Sequence, residues 1–129
     1  MADYYFARTV NGDLESVVER VTDALKSEGF GVLTTIDVSD TLKKKIDVDI
    51  RPYRILGACN PTFAYKALQA EDKIGTMLPC NVIVQETGEG RVQVASVDPI
   101  ASMSAVDNPD LADIAGEVRE KLRRVVNAL

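Results

Sequence analysis

Apolar residues recur along this chain with two different periods, one typical of helices and one typical of strands. From Leu14 to Leu25 they recur three or four residues apart, which places them in one stripe along a helix. Asp13 can cap the start of that helix, and Gly29 is placed to end it. Residues 30–38 instead alternate with a period of two, and their composition predicts a mostly buried strand.

Four more strands are predicted from β-branched or alternating segments bounded by turn residues: 4–10, 51–59, 80–86 and 91–97. The first of them ends in Asn11-Gly12, a dipeptide typical of turns. The last two are separated by residues 87–90, two of which are glycine, and this spacing predicts a hairpin. We therefore expect these two strands to pair antiparallel.

Two short helices are predicted in the middle of the chain. One covers residues 40–45, with Ser39 or Asp40 as its cap. The other begins at Asn60-Pro61, where asparagine caps the helix and proline occupies the first helical position. Its apolar stripe is expected to be buried and consists of Phe63, Ala64, Ala67 and Leu68.

A longer helix is predicted at the C-terminus, again opened by an Asn-Pro pair, Asn108-Pro109. Its stripe extends over about five turns and consists of Leu111, Ile114, Ala115, Val118, Leu122, Val125, Val126 and Leu129. Such a stripe needs an apolar partner surface, which the face of a sheet provides. The sequence thus predicts an α+β fold, an antiparallel sheet of about five strands packed on this helix and on an N-terminal helix. Residues 1–129 are expected to form a single domain, because no linker or repeat interrupts the pattern.

The charge balance argues against nucleic acid as a partner. The chain has 15 Lys and Arg against 20 Asp and Glu, a formal net charge of −5, whereas phosphate binding requires clustered cations. The sequence also lacks a run of about 20 apolar residues that could cross a membrane. We therefore predict no nucleic-acid partner and no membrane partner.

The first residues favour a cytoplasmic location. Met1-Ala2-Asp3-Tyr4-Tyr5 has an acid where a secretory signal has basic residues, and no continuous apolar run follows it. The cytoplasm is therefore the expected compartment.

Histidine is absent from the sequence. Its absence excludes Ser-His-Asp and Cys-His catalysis and the common catalytic zinc sites. Two cysteines alone cannot complete a zinc site, so no metal is predicted. The sequence identifies no cofactor, and whether the chain catalyses a reaction stays open at this point.

The two cysteines are the first candidates for chemistry. Cys59 ends one predicted strand and directly precedes a helix, whose N-terminal N–H groups and dipole favour a thiolate. Cys80 begins the next strand, so the two sulfurs would lie at one edge of the sheet if these strands are antiparallel neighbours. Free cysteines more commonly act as small apolar core residues, and a structural disulfide is not expected in a reducing cytosol.

A set of polar residues is the second candidate, and it forms the predicted ligand-binding group: Arg51, Tyr53, Arg54, Asn60 and Asn81. Arginine beside tyrosine can bind a carboxylate or a phosphate, and the helix that starts after Asn60 can add backbone donors. A network of surface ion pairs would account for the same residues.

Four segments, at 29–34, 51–61, 67–71 and 78–82, resemble a prokaryotic family called domain of unknown function 302. The resemblance extends from the first strand to the final helix. It implies a TATA-box-binding-protein-like α+β fold, with a curved antiparallel sheet that grips a long C-terminal helix, often as a homodimer. It implies no agreed activity and no catalytic residues.

Three hypotheses follow. The leading one is a non-enzymatic module that binds a small ligand or a partner, with a pocket between the sheet and the long helix, bordered by Cys59, Asn60, Cys80 and Asn81. The alternative is a thiol-dependent redox or transferase protein with Cys59 as nucleophile and Cys80 as resolving thiol. The third is a purely structural homodimer subunit, whose interface would use Met103, Ile100 and the Pro99 region.

Overall fold

The structure is a computed structural model, and it describes residues 4–129. The Met1-Ala2-Asp3 opening lies outside the described residues. The expectation that no secretory signal is present depends partly on that opening.

Five strands form one antiparallel sheet: β1 (Tyr5–Asn11), β2 (Gly31–Asp37), β3 (Tyr53–Cys59), β4 (Cys80–Gly88) and β5 (Arg91–Val97). Their order across the sheet is β1-β5-β4-β3-β2. Strands β4 and β5 pair antiparallel, as the hairpin signal predicts. Strand β1 joins the sheet beside β5, so β1 and β2 are the two edge strands.

The helices connect and cover these strands: α1 (Leu14–Ser27), α2 (Val38–Ile46), α3 (Pro61–Ala70), a 3-10 helix (Asp72–Met77), α4 (Pro99–Ser102) and α5 (Pro109–Asn127). The caps expected from the sequence are in place for α1, α3 and α5. The Asp13 carboxylate accepts a hydrogen bond from the backbone N–H of Ser16 at 2.9 Å. The side-chain oxygen of Asn108 accepts one from Asp110 at 3.1 Å. Each cap satisfies an N–H group that the helix itself cannot pair.

Helices α1 and α5 pack together on one face of the sheet, and the main core lies between them and the central strands. Its largest fully buried members come from both helices and from β3, β4 and β5: Val17, Val21, Leu25, Leu122, Val125, Leu56, Val82, Val84, Val92 and Val94. The opposite face carries partly exposed side chains, including the cross-strand pair Gln85 and Gln93, whose amides are hydrogen-bonded at 3.2 Å. The predicted α+β class and antiparallel sheet are confirmed.

Strand β2 departs from the prediction of a mostly buried strand. It lies at the edge of the sheet, and residues 33–36 are exposed. The register shifts between Val32 and Thr34, which leaves Leu33 as the extra residue of a bulge with 68% of its surface exposed. The buried-strand prediction is wrong because alternation reveals a period but not the position of a strand in its sheet.

Smaller differences concern the helices. Helix α2 begins two residues before the predicted start, because Asp37, not Ser39 or Asp40, caps it through a 3.0 Å hydrogen bond from the Asp40 N–H. Leu68, predicted to be buried, is 45% exposed, because α3 turns the adjacent Ala67 inward instead. The 3-10 helix and α4 are too short to produce an apolar period and were not predicted.

The residues expected at a homodimer interface are mostly internal. Pro99 is buried and Met103 is 8% exposed, so only Ile100, at 47%, faces solvent. That part of the interface prediction is wrong, because α4 packs against α5 and Met103, directly after α4, belongs to a buried cluster with Leu111 and Ala115. Self-association itself stays a prediction.

None of the helices within residues 4–129 is long and apolar enough to span a membrane.

Candidate functional site

An apolar groove of about 310 Å³ lies at the end of the sheet where β3 ends and β4 begins. The sheet contributes one wall, which includes Leu33, Ala58 and Cys80, and Phe30 extends it from the residue before β2. Helices α3, α4 and α5 surround the remaining sides. The groove therefore lies between the sheet and the long C-terminal helix, which is the position expected for a pocket.

The helical walls follow from the placement of small and rigid residues. Helix α3 presents the short side chains of Ala64 and Ala67, together with Phe63. Helix α5 presents three residues of its apolar stripe: Ile114, Ala115 and Val118. Alanine on both helices leaves space that leucine would fill, so a groove remains where the two helices approach.

The polar side chains of the groove come from the two strand ends. The lining residues that carry a polar or thiol group are Cys59, Asn60 and Cys80. Cys80 pairs with Ala58 across the ladder, which places it beside the end of β3, next to Cys59. Asn60 is already engaged as the cap of α3, since its side-chain oxygen accepts from the Phe63 N–H at 3.4 Å.

Burial makes Cys80 a poor thiolate. It is 8% exposed, and its burial, together with the nearby Cys59 thiol, raises its pKa from 9.0 to about 11. The thiolate is the reactive form, so Cys80 is disfavoured as the resolving member of a redox pair. Both cysteines are unpaired, and the redox alternative has no support from this geometry.

We expect Cys80 to resist alkylation in the folded protein at pH 7.5. A pKa about two units above the ordinary value leaves about a hundredfold fewer thiolates than in the unfolded chain. Because the pKa of Cys80 is higher in the folded protein, unfolding between pH 9 and 11 releases a proton. The free energy of unfolding should therefore fall as the pH rises through this range, and this thiol should not affect it at lower pH.

Iodoacetamide labelling followed by mass spectrometry measures the first effect, and urea unfolding at pH 8 and pH 10.5 measures the second. The Cys80→Ala variant serves as the control, because it should lose the part of the pH dependence that this thiol causes. Rapid labelling of Cys80 in the folded protein at pH 7.5 would show that the thiol is accessible and ionised, contrary to the expectation.

The structure distributes the five predicted ligand-binding residues over separate places. Asn60 lines the groove, but Tyr53 and Asn81 lie on the opposite face of the sheet, in a separate depression of about 380 Å³. Asn81 is adjacent to Cys80 in β4, and successive strand residues point to opposite faces. The predicted grouping of Asn81 with Cys80 therefore fails on strand geometry.

The two arginines are used in structural contacts. Arg54 bonds to the Glu15 carboxylate at 2.6 Å and lies 3.5 Å from Asp37, and it lowers the pKa of Glu15. The pKa of Asp37 is also lowered, mainly because its carboxylate accepts a hydrogen bond from the backbone N–H of Asp40 at the start of α2. Arg51 donates to the backbone carbonyl of Thr87. Neither arginine lines the groove.

Sequence reasoning missed two lysines at the groove. The Nζ atoms of Lys66 on α3 and Lys121 on α5 lie 5.6 and 5.9 Å from the centroid of the Phe63 ring, which lines the groove. The two lysines are far apart in the sequence, so no local motif links them.

Within residues 4–129, groups of three or more acidic or cysteine residues that could hold a metal ion are absent.

Comparison with known proteins agrees with this architecture. A solved structure described as the uncharacterized conserved protein DUF302 from Bacillus stearothermophilus is 28% identical, covers 98% of both chains and superposes with a TM-score of 0.90. No curated protein shows a significant match. The family model described as domain of unknown function DUF302 matches residues 6–129. The chain therefore belongs to the DUF302 family.

Proposed function

We propose that this protein binds a small, largely apolar molecule in the groove between α3, α5 and the sheet. The observation that carries the proposal is the groove itself, a concave space of about 310 Å³ with apolar walls and, at one end, the amide of Asn60 and the weakly polar thiols of Cys59 and Cys80. Small-molecule sites have this character, mostly apolar with a few placed polar groups, and begin at about 300 Å³.

Buried core residues hold the walls, so the groove is suited to bind without a large ordering cost. Ala58 and Ala67 are 1% and 2% exposed, and Ala115 is 2% exposed. Residues from the sheet end belong to the main core, whereas Ala67, Met103 and Ala115 belong to a second, smaller core cluster. The groove lies where these two clusters meet, and both fix its shape.

The size and chemistry of the groove favour a linear or compact apolar chain. Each methylene transferred from water into an apolar site contributes about 0.8 kcal/mol, which is about a fourfold gain in affinity. A site of this volume is filled by a ligand of limited length, after which further methylenes remain in water and add little.

A series of primary alcohols from butanol to decanol tests the proposal. We expect calorimetric titration to give affinities that rise about fourfold per methylene and then level off once the groove is full. A matched series of diols, in which the far end of the chain is polar, should bind more weakly at every length. Absence of binding by all alcohols, or affinities independent of chain length, would contradict the proposal.

The cytoplasm is the compartment we propose for this binding. The two unpaired cysteines support it, because unpaired thiols at neighbouring strand ends are maintained in reducing compartments. Fractionation of the native host cell measures this directly, and recovery of the protein outside the cytoplasm would contradict it.

A further inference from the structure

Two cations converge on one aromatic wall of the groove. The Phe63 ring lines the groove and packs against the main core. Lys66 approaches this ring from α3 itself, and Lys121 approaches it from α5, with Nζ-to-centroid distances of 5.6 and 5.9 Å. The apolar groove therefore has positive charge beside it, although the chain as a whole has a net charge of −5.

Within residues 4–129, no carboxylate forms an ion pair with either of these two ammonium groups, those of Lys66 and Lys121. Glu28 is the carboxylate whose pKa responds to Lys121, but it accepts hydrogen bonds from Arg124 at 2.9 and 3.1 Å, and Arg124 lowers its pKa most. Both lysines therefore retain the capacity to bind an anion.

The acids of α5 do not line the groove. Asp113, Glu117 and Glu120 line a different depression, which Lys121 also borders, whereas the groove is lined by Ile114, Ala115 and Val118. Lys121 thus lies between the acidic side of the helix and the apolar stripe that forms the groove wall. An anion beside Phe63 would meet both lysines, and the α5 carboxylates that share the depression with Lys121 would offset part of its attraction.

We propose that the natural ligand is an amphipathic anion, whose apolar chain occupies the groove and whose carboxylate-type head group binds between Lys66 and Lys121. This inference rests on the proposed function, because it assigns a head group to the apolar ligand of the same groove. An alkyl carboxylate is the simplest molecule with this chemistry. Its charge complements the two ammonium groups, and its chain complements the walls.

A comparison of octanol with octanoate isolates the contribution of the head group to the affinity, because the two molecules have the same number of carbon atoms. At pH 7.5 and low salt, octanoate should bind the wild type about tenfold more tightly than octanol, the gain typical of a hydrogen bond to a charged group. This advantage should shrink with added salt, because the lysines are near the surface. The octanol affinity should stay unchanged by salt.

Replacing both lysines, Lys66→Met with Lys121→Met, should remove the advantage of octanoate and leave octanol binding as in the wild type. Methionine keeps an unbranched apolar stem without the charge, so retained octanol binding shows that the groove is intact. Lys45→Met, on the exposed surface of α2 at the other end of the sheet, removes one charge far from the groove and should preserve the tenfold advantage.

The outcomes distinguish this inference from the function on which it rests. Octanol binding with no preference for octanoate, or a preference that survives in the double variant, overturns the head-group assignment and leaves the apolar site standing. Failure of both molecules to bind the wild type overturns the apolar site and the head-group assignment together.

Discussion

Gly57→Ala is expected to destabilise the protein by about 1–3 kcal/mol, the cost of inserting a methyl group into a packed site. Gly57 lies in β3, where it pairs with Thr34 of β2 on one side and with Asn81 of β4 on the other. A Cβ atom at this position would collide with the Thr34 side chain and lie 2.8 Å from Cγ of Pro79.

The collision is costly because one of the two neighbours is rigid. The Thr34 side chain can rotate, but the pyrrolidine ring of Pro79 is fixed to its own backbone. Relief therefore requires the backbone before β4 to move. Pro79 also lines the groove, so the same displacement should widen or distort the end of the groove near the cysteines.

Gly116→Ala is the matched control. Gly116 lies within α5, and an added Cβ there would meet nothing within 4 Å. Alanine in a helix interior is favoured over glycine by about 0.5–1 kcal/mol, so this variant should be more stable than the wild type. Urea unfolding followed by circular dichroism measures both changes. A Gly57→Ala variant as stable as the wild type would mean that the close approach to Pro79 is absent.

The parts of the fold that local pattern determines were predictable. Helices α1 and α5 each carry a long apolar stripe with a polar cap before it, and both begin where the cap predicts. The stripe of α5 requires an apolar surface to bury it, and the sheet supplies that surface. These inferences need only neighbouring residues and the helical period.

The position of β2 at the sheet edge could not be derived in the same way. Its sequence, with Val32, Leu33 and Ile36, is as apolar as that of a buried strand. Exposure follows from the order β1-β5-β4-β3-β2 and from the width of the helical layer, which covers the central strands. Both are properties of the assembled sheet and are not encoded in any one strand.

The candidate site shows the same division. The end of β3 and the start of β4 were expected to border a pocket, because antiparallel neighbours bring Cys59 and Cys80 to one edge. The groove walls on α5 were not distinguishable from core, since Ile114, Ala115 and Val118 continue one apolar stripe. Only the separation between α3 and α5 turns that part of the stripe into the wall of a groove.

Ala64→Trp is expected to reduce octanol affinity at least about a hundredfold, since displacing only four methylenes from the groove costs about 3 kcal/mol. Ala64 lines the groove from α3 and is only partly buried, so an indole ring there can enter the groove without overpacking the core. The variant should therefore remain folded, with helix content equal to that of the wild type.

Ala112→Trp is the control for this substitution. Ala112 is exposed on α5 and does not line the groove, so the same added ring should leave octanol binding unchanged. Both variants add one large aromatic surface to a helix. A difference between them therefore reports the location of the ring and not a general effect of tryptophan on stability or aggregation.

The most direct test of the account is octanol titration of the wild type, Ala64→Trp and Ala112→Trp by calorimetry under identical conditions. The account predicts equal affinities for the wild type and Ala112→Trp, with binding lost in a folded Ala64→Trp variant. Octanol binding by Ala64→Trp with the affinity of the wild type would contradict it, because the ligand would then not occupy the groove.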